Sequence, residues 1–189
     1  VTGLPEGPRL VVDIGGGSTE LVLGTEAPTH RISMDIGSVR LTERHLVSDP
    51  PTEAEIAAAS ADIDAMLDQA EQVVPFARAE ALVGVAGTVT TVTAVASGIQ
   101  DYRPDVTHGA ALSVDQVTTT CLTLLAETRA QRSRHAVIHP GRIDVIGAGA
   151  LIWARIVARV AAATSITGTR TSEHDILDGI ALQLLDRVP

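Results

Sequence analysis

Three consecutive glycines and a serine, Gly15-Gly16-Gly17-Ser18, lie between two apolar runs at residues 10–14 and 19–24. Turn-forming residues in a four-residue gap between strand-like runs predict a β-hairpin. A third run, residues 30–36, follows a turn at residues 25–28, so three antiparallel strands open the chain. This feature fixes the register as well as the fold. If residues 15 to 18 form the loop, Ile14 pairs with Thr19 and Asp13 lies directly opposite Glu20.

After Ile36 the connections lengthen from hairpin turns to helices. A helix is predicted from Ser38 to Leu46. A second runs from Glu53 to Val74, opened by Thr52 with Glu55 as a capping box. Residues 81–85 read as a fourth strand. The β-branched stretch from Thr88 to Ala96 favours a strand on propensity alone, yet Gly84 and Gly87 break the strand pattern and a parallel sheet needs a crossover there, so it is read as a helix. Ser113 with Gln116 opens a helix to Glu127, and residues 143–163 form a long apolar helix. Residues 164–169 are predicted as a last strand, and Ser172 with Asp175 as the cap of a final helix to Asp186. Residues 99–109 are predicted as a surface loop. The expectation is a single α/β domain spanning residues 1–189, with a mixed five-stranded sheet and helices on both faces.

Composition sharpens this. Hydrophobic residues make up 45% of the 189 but aromatics only 2%, so the core must be aliphatic, which suits a sheet covered by helices. There is no lysine, which excludes a P-loop and Schiff-base chemistry. The net charge of -9 argues against non-specific nucleic-acid binding, which needs a basic surface. Cys121 stands alone and reads as a buried thiol in a reducing setting. The most apolar stretch, residues 145–163, carries Arg155 and Arg159, which a membrane span rarely holds. A soluble, cytoplasmic protein is expected.

Directly opposed like charges destabilise a hairpin, so the Asp13 and Glu20 pair needs an offset. A divalent cation or a shared proton would supply it. Three glycines free the backbone for positive φ and let amides approach an anion with no β-carbon in the way. A phosphate with a magnesium ion satisfies both halves of the motif. Two other constellations are set aside. His135 and His139 have helical metal spacing, but Pro140 follows and no third ligand has a readable place. Ser172, His174 and Asp175 are too close in sequence for a hydrolase triad, and capping explains them better.

The string from Asp13 to Glu20 resembles the phosphate motif of the Ppx/GppA family. Further matches follow in the family's order: residues 37–43, 84–88, 142–146 and 172–179. The resemblance implies a ribonuclease H-like domain of the actin-like ATPase superfamily, specifically the second, C-terminal-side half, with a preceding half expected to carry its own phosphate loop and a catalytic acid. It further implies that Asp13 and Glu20 hold Mg2+ and orient the attacking water. Gly15, Gly16, Gly17, Ser18 and Thr19 would bind terminal phosphates, with Gly87 and Thr88 as the opposing phosphate loop. Arg142 would contact a longer polyanion, although a solvated arginine at a helix start is an equal reading. The implied activity is hydrolysis of inorganic polyphosphate or of the 5′-phosphate of guanosine pentaphosphate, with this stretch alone inactive. Two alternatives stay open: a non-catalytic module that binds nucleotide or polyphosphate or mediates homodimerisation, and half of an actin-like kinase or ATPase.

Overall fold

The computed structural model describes residues 4–175. Its strands are β1 (Arg9–Ile14), β2 (Thr19–Gly24), β3 (Pro28–Met34), β4 (Ala81–Val85), β5 (Ala111–Ser113) and β6 (Gly168–Thr171). They form one mixed sheet in the order β3-β2-β1-β4-β6-β5. The first three strands are antiparallel, and β4 runs parallel to both β1 and β6. The helices are α1 (Ser38–His45), α2 (Glu53–Val73), α3 (Ala86–Ala96), α4 (Pro104–Thr107), α5 (Val114–Ala126), α6 (Arg129–Arg132) and α7 (Ile146–Ala163), with 3-10 turns at Phe76–Arg78 and Pro140–Arg142.

Strand alternation sorts the sheet into two faces. Leu10, Val12, Ile14, Leu21 and Leu23 are buried in one continuous core with residues of α1, α2, α3, α5 and α7. Asp13 and Glu20 therefore lie on the opposite face. At the centre of the core is α7, whose Trp153 is fully buried. This helix is long and apolar enough to cross a membrane by length and composition, but it is mostly buried inside the domain. Its Arg155 pairs with Asp64 and its Arg159 with Asp68 and Glu71, all on α2.

The reading of α3 as a helix holds despite its β-branched composition, and the hydrogen bonds explain why. The Thr91 hydroxyl donates to the Gly87 carbonyl four residues back at 2.6 Å, and Thr93 shares a 2.6 Å bond with Thr171 of β6. Threonines whose hydroxyls are satisfied in this way can be buried in a helix without an unpaired polar group.

Six strands replace the expected five. The missed strand, β5, is three residues long with only Leu112 buried, too short to carry a period-2 signal. It pairs antiparallel to β6 at the sheet edge. The third strand starts two residues earlier than predicted, because Pro28 pairs with Gly24 across an irregularity in the ladder. The last strand is Gly168–Thr171 rather than residues 164–169, since residues 170 and 171 carry the parallel pairing to β4. The stretch at 99–109 contains α4, and α7 begins at Ile146 after the 3-10 turn. Among the described residues the helices in the common core gather against one face of the sheet. The final helix expected to residue 186 lies outside the described residues.

Candidate functional site

The predicted register is present: Asp13 pairs with Glu20 and Ile14 with Thr19. Both carboxylates stand on the face of the sheet away from the core. Burial pushes the Asp13 carboxyl above its ordinary range, and the charges of Glu20 and Asp175 push it further in the same direction. Glu20 is positioned by its cross-strand partner, Ser33 of β3, whose hydroxyl donates to Glu20 Oε1 at 2.6 Å.

The glycine turn is built differently from the expectation. None of Gly15, Gly16 and Gly17 has a positive φ. The Gly15 amide closes the turn on the Ser18 carbonyl at 2.9 Å. The Gly15 carbonyl accepts from the Ser38 amide, and the Gly16 carbonyl accepts from the amides of Val39 and Arg40. The turn thus caps α1, whose N-cap residue Gly37 offers no side chain for that purpose. A β-carbon at Gly37 would collide with the Gly16 carbonyl, so the close approach that demands glycine is there. In a planar trans peptide the carbonyl and the next amide point in opposite directions. With two carbonyls turned toward α1, the amides of Gly16 and Gly17 point away from it. These two residues are exposed, which leaves their amides open to an anion. Thr19 contributes no side chain to the site, since its buried hydroxyl donates to the Ile36 carbonyl at 2.7 Å.

The second loop lies beside the first. Thr88, in the first turn of α3, is buried against Gly149 of α7, which also touches Ser38 of α1. The N-terminal turns of these three helices converge, and each presents the positive end of its dipole. With its side chain packed, Thr88 can meet a ligand only through its backbone. Two residues earlier, Ala86 has φ 64, a left-handed conformation that is costly for alanine and concentrates at functional positions. The Arg142 guanidinium lies directly over Gly87, where any β-carbon would displace it.

Arg142, Ala86 and Gly87 line a cavity of about 860 Å³ together with Thr90, Tyr102, His139, Glu173 and Asp175. The structure therefore joins Gly87 to Arg142 in one cavity and Asp13 to Glu20 on one sheet face. Asp175, which lines the cavity and acts on Asp13, connects the two. The glycine turn is not part of the cavity lining and adjoins it through Ser38, Gly149 and Thr88.

Tyr102 and Glu173 escaped the sequence reading. Tyr102 sits in the stretch taken for a surface loop, and its hydroxyl donates to Glu173 at 2.6 Å. Burial, with the Glu173 hydrogen bond second, pushes its phenol above the ordinary range. Glu173 also accepts from the Thr107 hydroxyl. Only the chain's scarcity of aromatics could have singled Tyr102 out. The constellations set aside have other partners: His135 meets Glu127 at 2.9 Å, His139 accepts from the Gly141 amide, and Ser172 and His174 bond to each other's backbone and hydroxyl.

Asp13 and Glu20 offer two hard oxygen donors whose mutual repulsion a cation would relieve. Among the described residues no group of three or more His, Cys, Asp or Glu side chains is placed to enclose a metal. A pair of carboxylates is a donor set that suits magnesium, which retains waters and takes one or two carboxylates together with substrate phosphates.

The family model described as the Ppx/GppA phosphatase family matches residues 1–184. Exopolyphosphatase 2 of Mycobacterium tuberculosis is 44% identical over 177 residues, which cover 94% of this chain and 56% of that protein. The crystal structure of an exopolyphosphatase-like protein superposes with a TM-score of 0.95 at 45% identity, covering 98% of this chain and 62% of the other. The Aquifex aeolicus PPX-GPPA enzyme superposes with a TM-score of 0.83 at 30% identity, covering 95% and 57%. The chain spans little more than half the length of these relatives.

Proposed function

Because this chain belongs to the Ppx/GppA phosphatase family, we propose that it supplies one wall of a site that hydrolyses terminal phosphoanhydride bonds, in inorganic polyphosphate or at the 5′-phosphate of guanosine pentaphosphate. The carrying observation is the Asp13 and Glu20 pair, opposed across a glycine turn whose outward amides can receive a phosphate. Asp13 and Glu20 would hold a divalent cation, with Ser33 fixing the rotamer of Glu20. Bound there, magnesium would neutralise charge on the transferred phosphoryl group. The amides of Gly16 and Gly17 would hold the terminal phosphates, and Gly87 with Arg142 would hold the next portion of the substrate. Catalysis would rest on positioning and electrostatic stabilisation.

Three antiparallel strands followed by helix-strand units support a ribonuclease H-like reading of the fold. By the family pattern, the complete site also needs a second actin-like half with its own phosphate loop. A cytoplasmic setting accords with a buried, inert Cys121 thiol, pushed up to about 12 by burial.

The test is phosphate release from long-chain polyphosphate and from guanosine pentaphosphate by the complete protein, with magnesium and with a chelator. Turnover that requires the cation is the expected outcome. Binding of either compound with no release would favour the non-catalytic module instead.

A further inference from the structure

We propose that Tyr102, held in place by Glu173, determines specificity at this site by stacking against the base of a nucleoside polyphosphate. The inference rests on the phosphatase reading above and narrows its substrate.

The chain has one tryptophan, one phenylalanine and one tyrosine. Trp153 and Phe76 are fully buried, whereas Tyr102 is 43% exposed and lines the cavity. Among the chain's phenylalanine, tyrosine and tryptophan rings it is the one a ligand in that cavity can reach; the other ring in the lining is the His139 imidazole, whose Nδ1 accepts from the Gly141 amide. The ring is pinned at its far end: its hydroxyl donates to Glu173, which also accepts from Thr107, and the Glu173 amide donates to His108 Nδ1 at 3.3 Å. A ring already held in position loses little freedom when a base stacks on it.

The rest of the lining suits a base better than a chain of phosphates. Ala136, Val137, Ile138 and Pro140 supply apolar wall. Arg142 is the one guanidinium among the described lining residues, against the carboxylates of Glu173 and Asp175. A linear polyphosphate needs a cation along most of its length and would meet a single guanidinium, Arg142, among the described residues at this end. A nucleoside polyphosphate separates the two requirements. Its phosphates stay at Arg142, Gly87 and the glycine turn, and its base enters the apolar end. The cavity volume of about 860 Å³ is ample for a nucleoside, since small-molecule sites run from about 300 to 1,000 Å³.

The experiment titrates GTP and inorganic tripolyphosphate, each with magnesium, against this chain and its Tyr102→Ala and Tyr102→Leu variants, reading weak binding by saturation-transfer NMR. Both ligands present three phosphates, so any difference reports the nucleoside. GTP is expected to bind about tenfold or more tightly than tripolyphosphate, the scale of one base stacked on an aromatic ring. Both variants should lose that preference while keeping the affinity for tripolyphosphate. The leucine variant retains bulk without an aromatic face and serves if the alanine variant does not fold. Equal affinities in the wild type, or a GTP preference that survives in the leucine variant, overturns the role of Tyr102 and leaves the phosphatase reading intact. Failure of both ligands to bind this chain overturns the role of Tyr102, while the phosphatase reading keeps its own test in phosphate release.

Discussion

Replacing Glu20 with alanine in the complete protein is expected to slow phosphate release from polyphosphate by about 100- to 1,000-fold, the scale seen when one preorganised electrostatic group is removed from a transition state. Stability should hardly change. Glu20 is half-exposed on β2, and its hydrogen-bond partner is the Ser33 hydroxyl, which water can replace. Removing it also relieves Asp13. A carboxyl whose folded pKa is raised destabilises the fold once pH rises above its ordinary value, because ionisation then costs more in the native state. Part of that cost at Asp13 comes from Glu20, so at neutral pH the alanine variant should be as stable as the parent or slightly more so. Phosphate release and chemical denaturation, measured together, check both halves. A variant that keeps full turnover contradicts the proposal, and one that loses turnover only by unfolding shows that Glu20 is structural.

This chain by itself is expected to hydrolyse long-chain polyphosphate at least about 100-fold more slowly than the same chain joined to a second actin-like half, since catalysis by positioning falls by about that factor for misplacements near 1 Å. The described site is one-sided. Gly16 and Gly17 are exposed, and the Asp13 and Glu20 carboxylates stand on a sheet face with the glycine turn at its rim. Opposite charges about 4 Å apart attract by about 1 kcal/mol in bulk water and about 4 at the effective dielectric of a protein surface. An open site therefore forfeits much of what a closed one gains, and it cannot fix the attacking water against a second wall. The comparison is phosphate release with magnesium by the two proteins side by side. A rate for the shorter chain close to that of the complete one would mean that a second half is dispensable to the chemistry.

Much of the fold was legible because local signals agreed with the tertiary arrangement. The glycine turn set the hairpin register, and the capping boxes at Thr52 and Ser113 placed α2 and α5. Where signals were weak, tertiary context decided. Strand β5 owes its existence to pairing with β6 rather than to its own three residues. Thr88 to Ala96 follows a helix because Thr91 and Thr93 find partners for their hydroxyls. In the site, Asp13 facing Glu20 follows from counting residues across the turn. The role of the glycines did not. Sequence suggested backbone freedom at Gly15 to Gly17, whereas the structure places the steric demand at Gly37 and turns the loop carbonyls onto α1. Tyr102, Glu173 and the strained Ala86 were invisible because each matters through contacts between distant segments.

The most direct measurement of the central claim is the position of manganese, substituted for magnesium, in crystals of the complete protein soaked with a phosphate analogue. The account predicts an anomalous peak between the Asp13 and Glu20 carboxylates, with oxygens of both within about 2 to 2.5 Å and the analogue held at the amides of Gly16 and Gly17. A cation bound elsewhere in the cleft, with Asp13 and Glu20 sharing a proton instead, would contradict it.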